Sequence, residues 1–339
     1  MSILGRLTAD EQQRLAREKE PHWSAPMLAT LTHDYFDDPD WIYERKLDGE
    51  RVIGVRNGRS IRLLSRNEEE LSASYPEICE ALAREHPAGT DFVVDGEIVA
   101  FEGRVTSFSR LQARMRKSDP QAARATGVAV FYYVFDLLHV DGYDLTELPL
   151  RTRKNLLRVA VDWRDPLRLT PHRNGEGKEY FRQACQKGWE GVIAKRADSS
   201  YRHSRSADWR KFKCIHQQEF VIGGYTDPAG ERTHFGALLL GHHEDGRLVY
   251  SGKVGTGFDR NSLRYVGDLL DSRERSSSPF EGTDQPSGDP HYVRPDLVCE
   301  IAFTEWTKSG RLRHPRFLGL RRDKDPADVI RESSEAVTA

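Results

Sequence analysis

The chain has 339 residues with 51 basic and 53 acidic side chains, a net charge of −2, so it has no global attraction to nucleic acid and any such binding must come from local basic stripes. Its mean hydropathy of −0.67 and 37% hydrophobic content fit a soluble protein long enough to bury two cores. No apolar run has signal-peptide or bilayer-spanning length, and the four scattered cysteines, Cys79, Cys185, Cys214 and Cys299, suggest neither a disulfide framework nor a zinc site. The expectation is a cytoplasmic protein with no membrane association.

Residues 1–40 read as a lead-in, with a short polar helix before Pro21 and Pro26. Strands are predicted at 41–46, 51–56 and 60–65. Between the first two runs Glu44-Arg45-Lys46-Leu47-Asp48-Gly49-Glu50-Arg51. It reads as strand, turn and strand, with Gly49 accepting positive φ and Asp48 bonding to its own backbone. Strand parity puts Glu44 and Lys46 on one face. Pro76 to Glu85 has helical spacing. Phe92 to Phe101 is an apolar strand that carries Asp95 and Glu97 on one face, and buried carboxylates are costly unless paired or bound to metal. Ser107 to Lys117 reads as a helix with Phe108, Leu111 and Met115 inward. Val128 to Leu138 is a strand on which Phe131, Tyr133 and Phe135 face one way, and Phe135 at its end can stack on a planar ligand.

Helices near 151–160 and 178–187 flank a strand near 167–170. Gly188 to Lys195 makes a turn and a strand, and a polar loop from Tyr201 to Asp208 leads into Trp209-Arg210-Lys211-Phe212-Lys213, where Lys211 and Lys213 share a face with Trp209. Beyond about residue 215 the apolar runs are short and evenly spaced: Phe220–Tyr225, Phe235–Gly241, Leu248–Val254 and Leu297–Phe303. With a helix at Asn261 to Leu270 they suggest a five-stranded oligonucleotide-binding barrel. His242-His243 reads as part of a hairpin tip, and Ser276 to Asp289 as a mobile loop. Basic stripes lie at Arg110–Lys117, Arg205–Lys213 and Arg311–Lys324.

A lysine is a nucleophile only when neutral, and nearby cations such as Arg51, Lys211 and Lys213 lower its pKa while holding a polyphosphate. Carboxylates at Glu97 and Glu190 can hold a Mg²⁺ that neutralises developing phosphate charge. With an aromatic at Phe135, these groups describe nucleotidyl transfer to an enzyme lysine.

From about Trp23 to about Asp328 the chain resembles the covalent nucleotidyltransferases, most closely the ATP-dependent DNA ligases. Its compact length is similar to bacterial ligases of the ligase D type, without attached polymerase or nuclease domains. The resemblance implies an α+β fold: a nucleotidyltransferase (ATP-grasp-like ligase) domain of antiparallel sheets with helices over 1–215, then a C-terminal OB-fold β-barrel over 216–339. It makes Lys46 the lysine that takes AMP, with Glu44 toward the adenine and Arg51 toward the ribose. Arg66, in Ser65-Arg66-Asn67, becomes a nucleotide contact; Glu97, in Asp95-Gly96-Glu97, lies near ribose and metal; Phe135 stacks on adenine. Glu190 goes to metal and Lys195 to the nucleotide, Arg205 is a further nucleotide contact, and Lys211 and Lys213 reach the α-phosphate. Arg322, Asp323 and Lys324, on the barrel, orient the departing pyrophosphate, and His314-Pro315-Arg316-Phe317 upstream is similar to DNA ligases rather than capping enzymes.

Two departures stand out. Tyr201-Arg202-His203-Ser204-Arg205 replaces the usual Tyr-x-Pro-Gly-Arg, and Arg210 replaces the apolar residue after Trp209. By resemblance the cofactors are ATP with Mg²⁺ or Mn²⁺, the substrate is nicked double-stranded DNA, and the protein is a monomer at the bacterial nucleoid in the cytoplasm. End-binding or polymerase partners in repair are implied. The rival readings are an RNA ligase, an mRNA-capping guanylyltransferase, and a catalytically silent nucleic-acid-binding relative.

Overall fold

The computed structural model describes residues 3–89, 91–214, 216–228, 233–282, 284–307 and 309–332; the outer ends expected for the two domains, and residue 215 between them, lie outside these. The chain divides into two compact units, one formed mainly by Met1–Cys214 and the other by Ile215–Ser333.

The first unit is built on two sheets. Nine of its strands carry the argument: β1 (Leu28–Leu31), β2 (Trp41–Lys46), β3 (Glu50–Asn57), β4 (Ser60–Ser65), β5 (Asp91–Glu102), β6 (Val130–Val140), β7 (His172–Asn174), β8 (Gly191–Arg196) and β9 (Arg205–Lys213). One sheet runs β6-β5-β3-β4, extended past β6 by the short strands Tyr143–Asp144 and Ala16–Arg17. The other runs β7-β2-β8-β9-β1. All these pairings are antiparallel except β9 with β1.

The expected strand, turn and strand are present, but the β2–β3 connection is not a hairpin: the two strands belong to different sheets and do not pair with each other. Asp48-Gly49 is therefore a crossing between sheets, and its residues serve that purpose. The Asp48 carboxylate accepts the Phe108 amide at 3.1 Å, and the Asp48 amide donates to Thr106 Oγ1 at 3.1 Å. At Gly49 an added Cβ would lie 2.2 Å from the Ile98 carbonyl oxygen, so close passage along β5, not positive φ, demands glycine here.

Parity holds at Phe135: Val130, Tyr132 and Val134 enter one core, and Phe135 lies on the opposite face, the face of Phe131 and Tyr133. The β5–β6 register passes from Asp95↔Asp136 to Gly96↔Val134, which leaves Phe135 as the extra residue of a bulge. Phe131 and Tyr133 stay half-exposed, whereas Phe135 is buried with Met27, Ile53, Tyr201 and Trp209 in a cluster between the sheets. The opposite face of the β6-β5-β3-β4 sheet packs Val52, Leu63, Val94 and Tyr132 against the helix Pro76–Leu82 and against α1 (Leu150–Ala160). The far face of the second sheet packs Tyr43, Val192 and Phe212 against α2 (Gly177–Gln186).

Three smaller expectations change. The helix expected over Ser107–Lys117 is helical only over Phe108–Leu111. The lead-in contributes β1, which closes the edge of the second sheet beside β9. Cys185, at the end of α2, and Cys214, just past β9, form a disulfide; at a sequence separation of 29 and with no Cys-x-x-Cys spacing, only the fold brings them together.

The second unit is an OB-fold on a six-stranded antiparallel sheet. Its main strands are β10 (His216–Tyr225), β11 (Leu238–Glu244), β12 (Arg247–Val254), β13 (His291–Phe303) and β14 (Arg316–Leu320), ordered β12-β11-β10-β13 with β14 and the short strand Glu274–Arg275 also on β13. Helix α3 (Arg260–Asp271) carries Val266 and Leu270 into the core with Phe220, Leu240 and Ile301. His242 is not at a hairpin tip: it lies buried within β11 and shares a 2.8 Å hydrogen bond with Ser251.

Candidate active site

The inner face of the second sheet assembles most of the sequence-predicted residues by register alone. Pairing of β2, β8 and β9 sets Lys46, Gly191 and Lys213 in one row, Glu44, Ile193 and Lys211 in the next, and Ile42, Lys195 and Trp209 in the third. Directly paired residues point to the same face, so these lysines share one surface, and the Cα atoms of Lys46 and Lys213 stand about 10 Å apart, two strand spacings. Gly191 leaves the space between them bare; a Cβ there would lie 1.9 Å from the Phe212 carbonyl oxygen.

Lys46 ion-pairs with Glu190, the residue just before β8. This carboxylate, which the sequence reading assigned to metal, offsets the ammonium charge. Arg51 is held bidentately by Asp95 at 2.5 Å through both Nε and Nη2. Asp95 is fully buried and also accepts the Tyr201 hydroxyl at 2.7 Å. Burial, together with the Asp95 charge, pushes the Tyr201 phenol well above its ordinary range, so it stays a donor. Arg51 then lies over the Phe135 ring, 4.5 Å from its centroid.

One turn of strand away, the buried Glu44 carboxylate pairs with Lys154 and, at 2.7 Å, with Lys195. Burial alone would raise the Glu44 pKa, but the two ammonium groups outweigh it and hold it below the usual carboxylate value. Burial brings Lys195 down to about 8, with Glu44 opposing and Lys154 adding to the fall. The Lys195 ammonium lies 4.0 Å from the Phe135 centroid and 3.9 Å from that of Trp209, a cation–π arrangement that partly replaces lost water. His172, opposite Glu44 on β7, is driven down to about 4 by burial and by Lys154, and stays neutral.

The remaining expected residues are distributed over both sheets and both units. Arg66 is half-buried in the turn after β4, a turn tied by the Ser65 hydroxyl accepting from the Asn67 and Glu69 amides. Arg205 is exposed and donates to the Ala29 carbonyl at 2.7 Å. Glu97 is half-buried on β5, opposite Arg51. Arg322, Asp323 and Lys324 belong to the second unit. There Asp323 is buried and takes both Nε and Nη2 of Arg321 at 2.9 and 2.8 Å, Lys324 pairs with Glu219 at 3.2 Å, and Arg322 lies 5.0 Å from the Tyr265 ring centroid.

As metal donors, Glu97 is a carboxylate on β5 and Glu190 one just before β8, and no group of three or more His, Cys, Asp or Glu side chains suited to a metal occurs among the described residues. Such a donor set fits Mg²⁺, which takes one or two carboxylates and completes its shell with water and substrate phosphates. It does not make an all-protein cage.

Sequence reasoning singled out Asp95 without giving it a role, and passed over Tyr201 and Lys154 as parts of this site. Lys154 carried a signal: with Leu150, Arg153 and Leu157 it occupies the buried face of α1, where a cation calls for a partner.

The chain is similar to known proteins over most of its length. Residues 26–213 match the family model described as an ATP dependent DNA ligase domain, and residues 231–324 match the ATP dependent DNA ligase C terminal region. The chain is 38% identical over 327 residues to the multifunctional non-homologous end joining protein LigD of Pseudomonas aeruginosa, covering 92% of this chain and 37% of that protein. It is 37% identical over 315 residues to the protein of the same name from Mycobacterium bovis, covering 91% of this chain and 40% of that one. The chain thus spans about two fifths of the length of these curated relatives. Among solved structures, a mycobacterial DNA ligase D complexed with ATP and MES superposes with a TM-score of 0.64 at 34% identity, covering 91% of this chain and 98% of that one.

Proposed function

The chain belongs to the ATP-dependent DNA ligases, and from that premise we propose that it seals nicks between 3′-hydroxyl and 5′-phosphate ends through AMP carried on Lys46, in the service of DNA end joining. The observation that carries this reading is the row Lys46–Gly191–Lys213 with Glu190 against Lys46: a lysine at a strand end, a bare backbone beside it, and a second lysine facing it across the gap.

In the first step Lys46 Nζ, having lost its proton, forms a bond to the α-phosphorus of ATP while the bond to pyrophosphate breaks. Lys213 and Lys211, in adjacent rows, supply positive charge to the phosphate oxygens. The Glu190 carboxylate keeps Lys46 extended and neutralised at rest; Mg²⁺, held by Glu190 and Glu97, would supply charge neutralisation for the phosphates. Glu44 and Phe135 receive the purine. In the later steps AMP passes from Lys46 to the 5′-phosphate of a nick, and the 3′-hydroxyl displaces it. Each step is an in-line displacement at phosphorus, so positioning and charge dominate. Contacts to DNA run mainly to phosphates and weaken with salt.

The test is intact mass after incubation with ATP and Mg²⁺. A gain of one AMP, mapped to Lys46 and discharged by nicked DNA, is expected; an adduct on Lys195 or Lys211, or none, overturns the reading. A gain from GTP instead of ATP would point to the capping-enzyme class.

A further inference from the structure

One buried charge is not used by this mechanism. Arg153 and Lys154 are consecutive residues of α1, and both turn inward, at 0% and 5% exposure. Arg153 is spent on a bidentate pair with Asp136 at 2.8 and 2.9 Å, and on the carbonyls of Leu148 and Ser199. That set fastens α1 to β6. Lys154 does something different: its ammonium donates to the Glu44 carboxylate of β2 and, at 3.3 Å, to the Phe135 carbonyl of β6. The two acceptors belong to different sheets. An apolar side chain on this face of α1 would pack with Leu150 and Leu157 at no cost in desolvation, whereas a buried ammonium is costly unless its partners are in place.

We infer that Lys154 is a positioning residue for the nucleotide: it ties the Glu44 carboxylate on one sheet to the bulged Phe135 on the other, and so sets the spacing and aim of the two groups that receive the purine. The inference rests on the proposed function. Phe135 is the extra residue of the β5–β6 bulge, with no register partner on β5, and the Lys154 contact to its carbonyl supplies a tether. At Glu44 the lysine holds one carboxylate oxygen while Lys195 holds the other. An ionised carboxylate only accepts, and has about four acceptor directions. Two lysines leave it oriented for an exocyclic amine, the group that a 6-amino purine presents and a 6-oxo purine lacks. Without Lys154 the carboxylate would keep Lys195 as its cation on one side only and could turn with it. The spacing to Phe135 and the preference for the amino purine would then be lost together.

The experiment compares the wild type with Lys154→Met, Lys154→Arg, Glu44→Gln and the double variant Lys154→Met/Glu44→Gln. AMP and GMP transfer to Lys46 is followed at varied ATP and GTP, beside a thermal melt. Lys154→Met should raise half-saturating ATP by about tenfold to a hundredfold, the range of one hydrogen bond to a charged group. The maximal rate should change far less, and the preference for ATP over GTP should fall by a similar factor. Lys154→Arg, which keeps the charge, should restore part of this, and Lys154→Met should add little in the Glu44→Gln background, because coupled residues are non-additive. Wild-type half-saturation and nucleotide preference in a folded Lys154→Met overturn the inference, as do losses that simply multiply in the double variant. If Lys154→Met does not fold, Lys154→Gln, a neutral donor of similar reach, carries the same comparison. A wild type that forms no Lys46 adduct instead overturns the functional reading itself.

Discussion

Each unit of this protein buries a knot of charge, and the two knots are built for different ends. In the second unit Arg321 is met by Asp323 at 2.8 Å, Glu300 at 3.0 Å and Glu219 at 3.9 Å, with Lys324 3.2 Å from Glu219. Glu219 and Glu300 face each other directly on β10 and β13, a like-charge pair that is destabilising without a cation between them. Arg321 is that cation, so the knot fastens neighbouring strands of one sheet. In the first unit Glu44, Lys154 and Lys195 come from two strands of one sheet and a helix packed on the other, and Lys195 lies against two aromatic rings. The difference teaches that a charged run in a sequence can be a fastening or a seat for a ligand. What decides is whether its members close on one sheet or bridge elements that a ligand would also touch. It also recasts Asp323: before any part it plays with pyrophosphate, its carboxylate holds Arg321.

The largest effect that would sharpen this contrast is at Lys46. Lys46→Arg keeps a cation for Glu190 but cannot lose its proton to attack, so the AMP adduct should vanish from the mass spectrum while the melt is retained. The opposite pattern is expected in the barrel. Arg321→Met leaves three carboxylates facing one another and should destabilise the second unit by about 3–5 kcal/mol, read by urea or thermal unfolding. Asp323→Asn should cost less. Equal loss of adduct formation and no loss of stability in Arg321→Met would erase the distinction between the two knots.

The pH dependence separates them further. Burial acts to raise the Asp323 pKa, but Arg321 outweighs it and the folded value lies below the ordinary 3.8. A depressed carboxylate stabilises fully above its unfolded pKa and loses that contribution as pH falls through the folded one. Acid melting below about pH 4 should therefore flatten in Asp323→Asn. Lys195, by contrast, falls from 10.5 to about 8 on folding. The folded chain releases this proton first, so its linked stability rises between those values while the cation over Phe135 disappears. Half-saturating ATP should accordingly climb above pH 8, and Lys154→Met should move that rise to higher pH.

The smallest effect expected concerns the link between α2 and β9. Reducing Cys185–Cys214 removes a closure spanning 29 residues, for which chain entropy gives an upper figure of roughly 3–4 kcal/mol. Melts with and without reductant, against Cys185→Ser, measure it. A shift confined to the first unit would fit the location of the bond; no shift would make it dispensable.

What the sequence determined by itself was whatever depends on short-range order. Apolar alternation marked β2, β3, β5 and β8, and the spacing of apolar residues marked α1 and α2. Strand parity put Glu44 with Lys46, and Lys211 with Lys213, on one face, because side-chain period two holds inside a strand. The resemblance of Lys46-Leu47-Asp48-Gly49-Glu50-Arg51 and its companions to the ligases was legible for the same reason: each motif lies within a few residues. Pairing between distant strands was not legible. Nothing local says that β2 and β3 part into different sheets, so Asp48-Gly49 read as a turn between strands without showing that it is a crossing made to fit against β5. The bulge at Phe135 is a mismatch between two strands, which neither strand carries alone. Asp95 on Arg51, Glu190 on Lys46, Lys154 on Glu44 and Cys185 on Cys214 are likewise meetings of residues remote along the chain. Burial forces each buried charge to find an opposite partner, and only the packed tertiary structure decides which one is within reach.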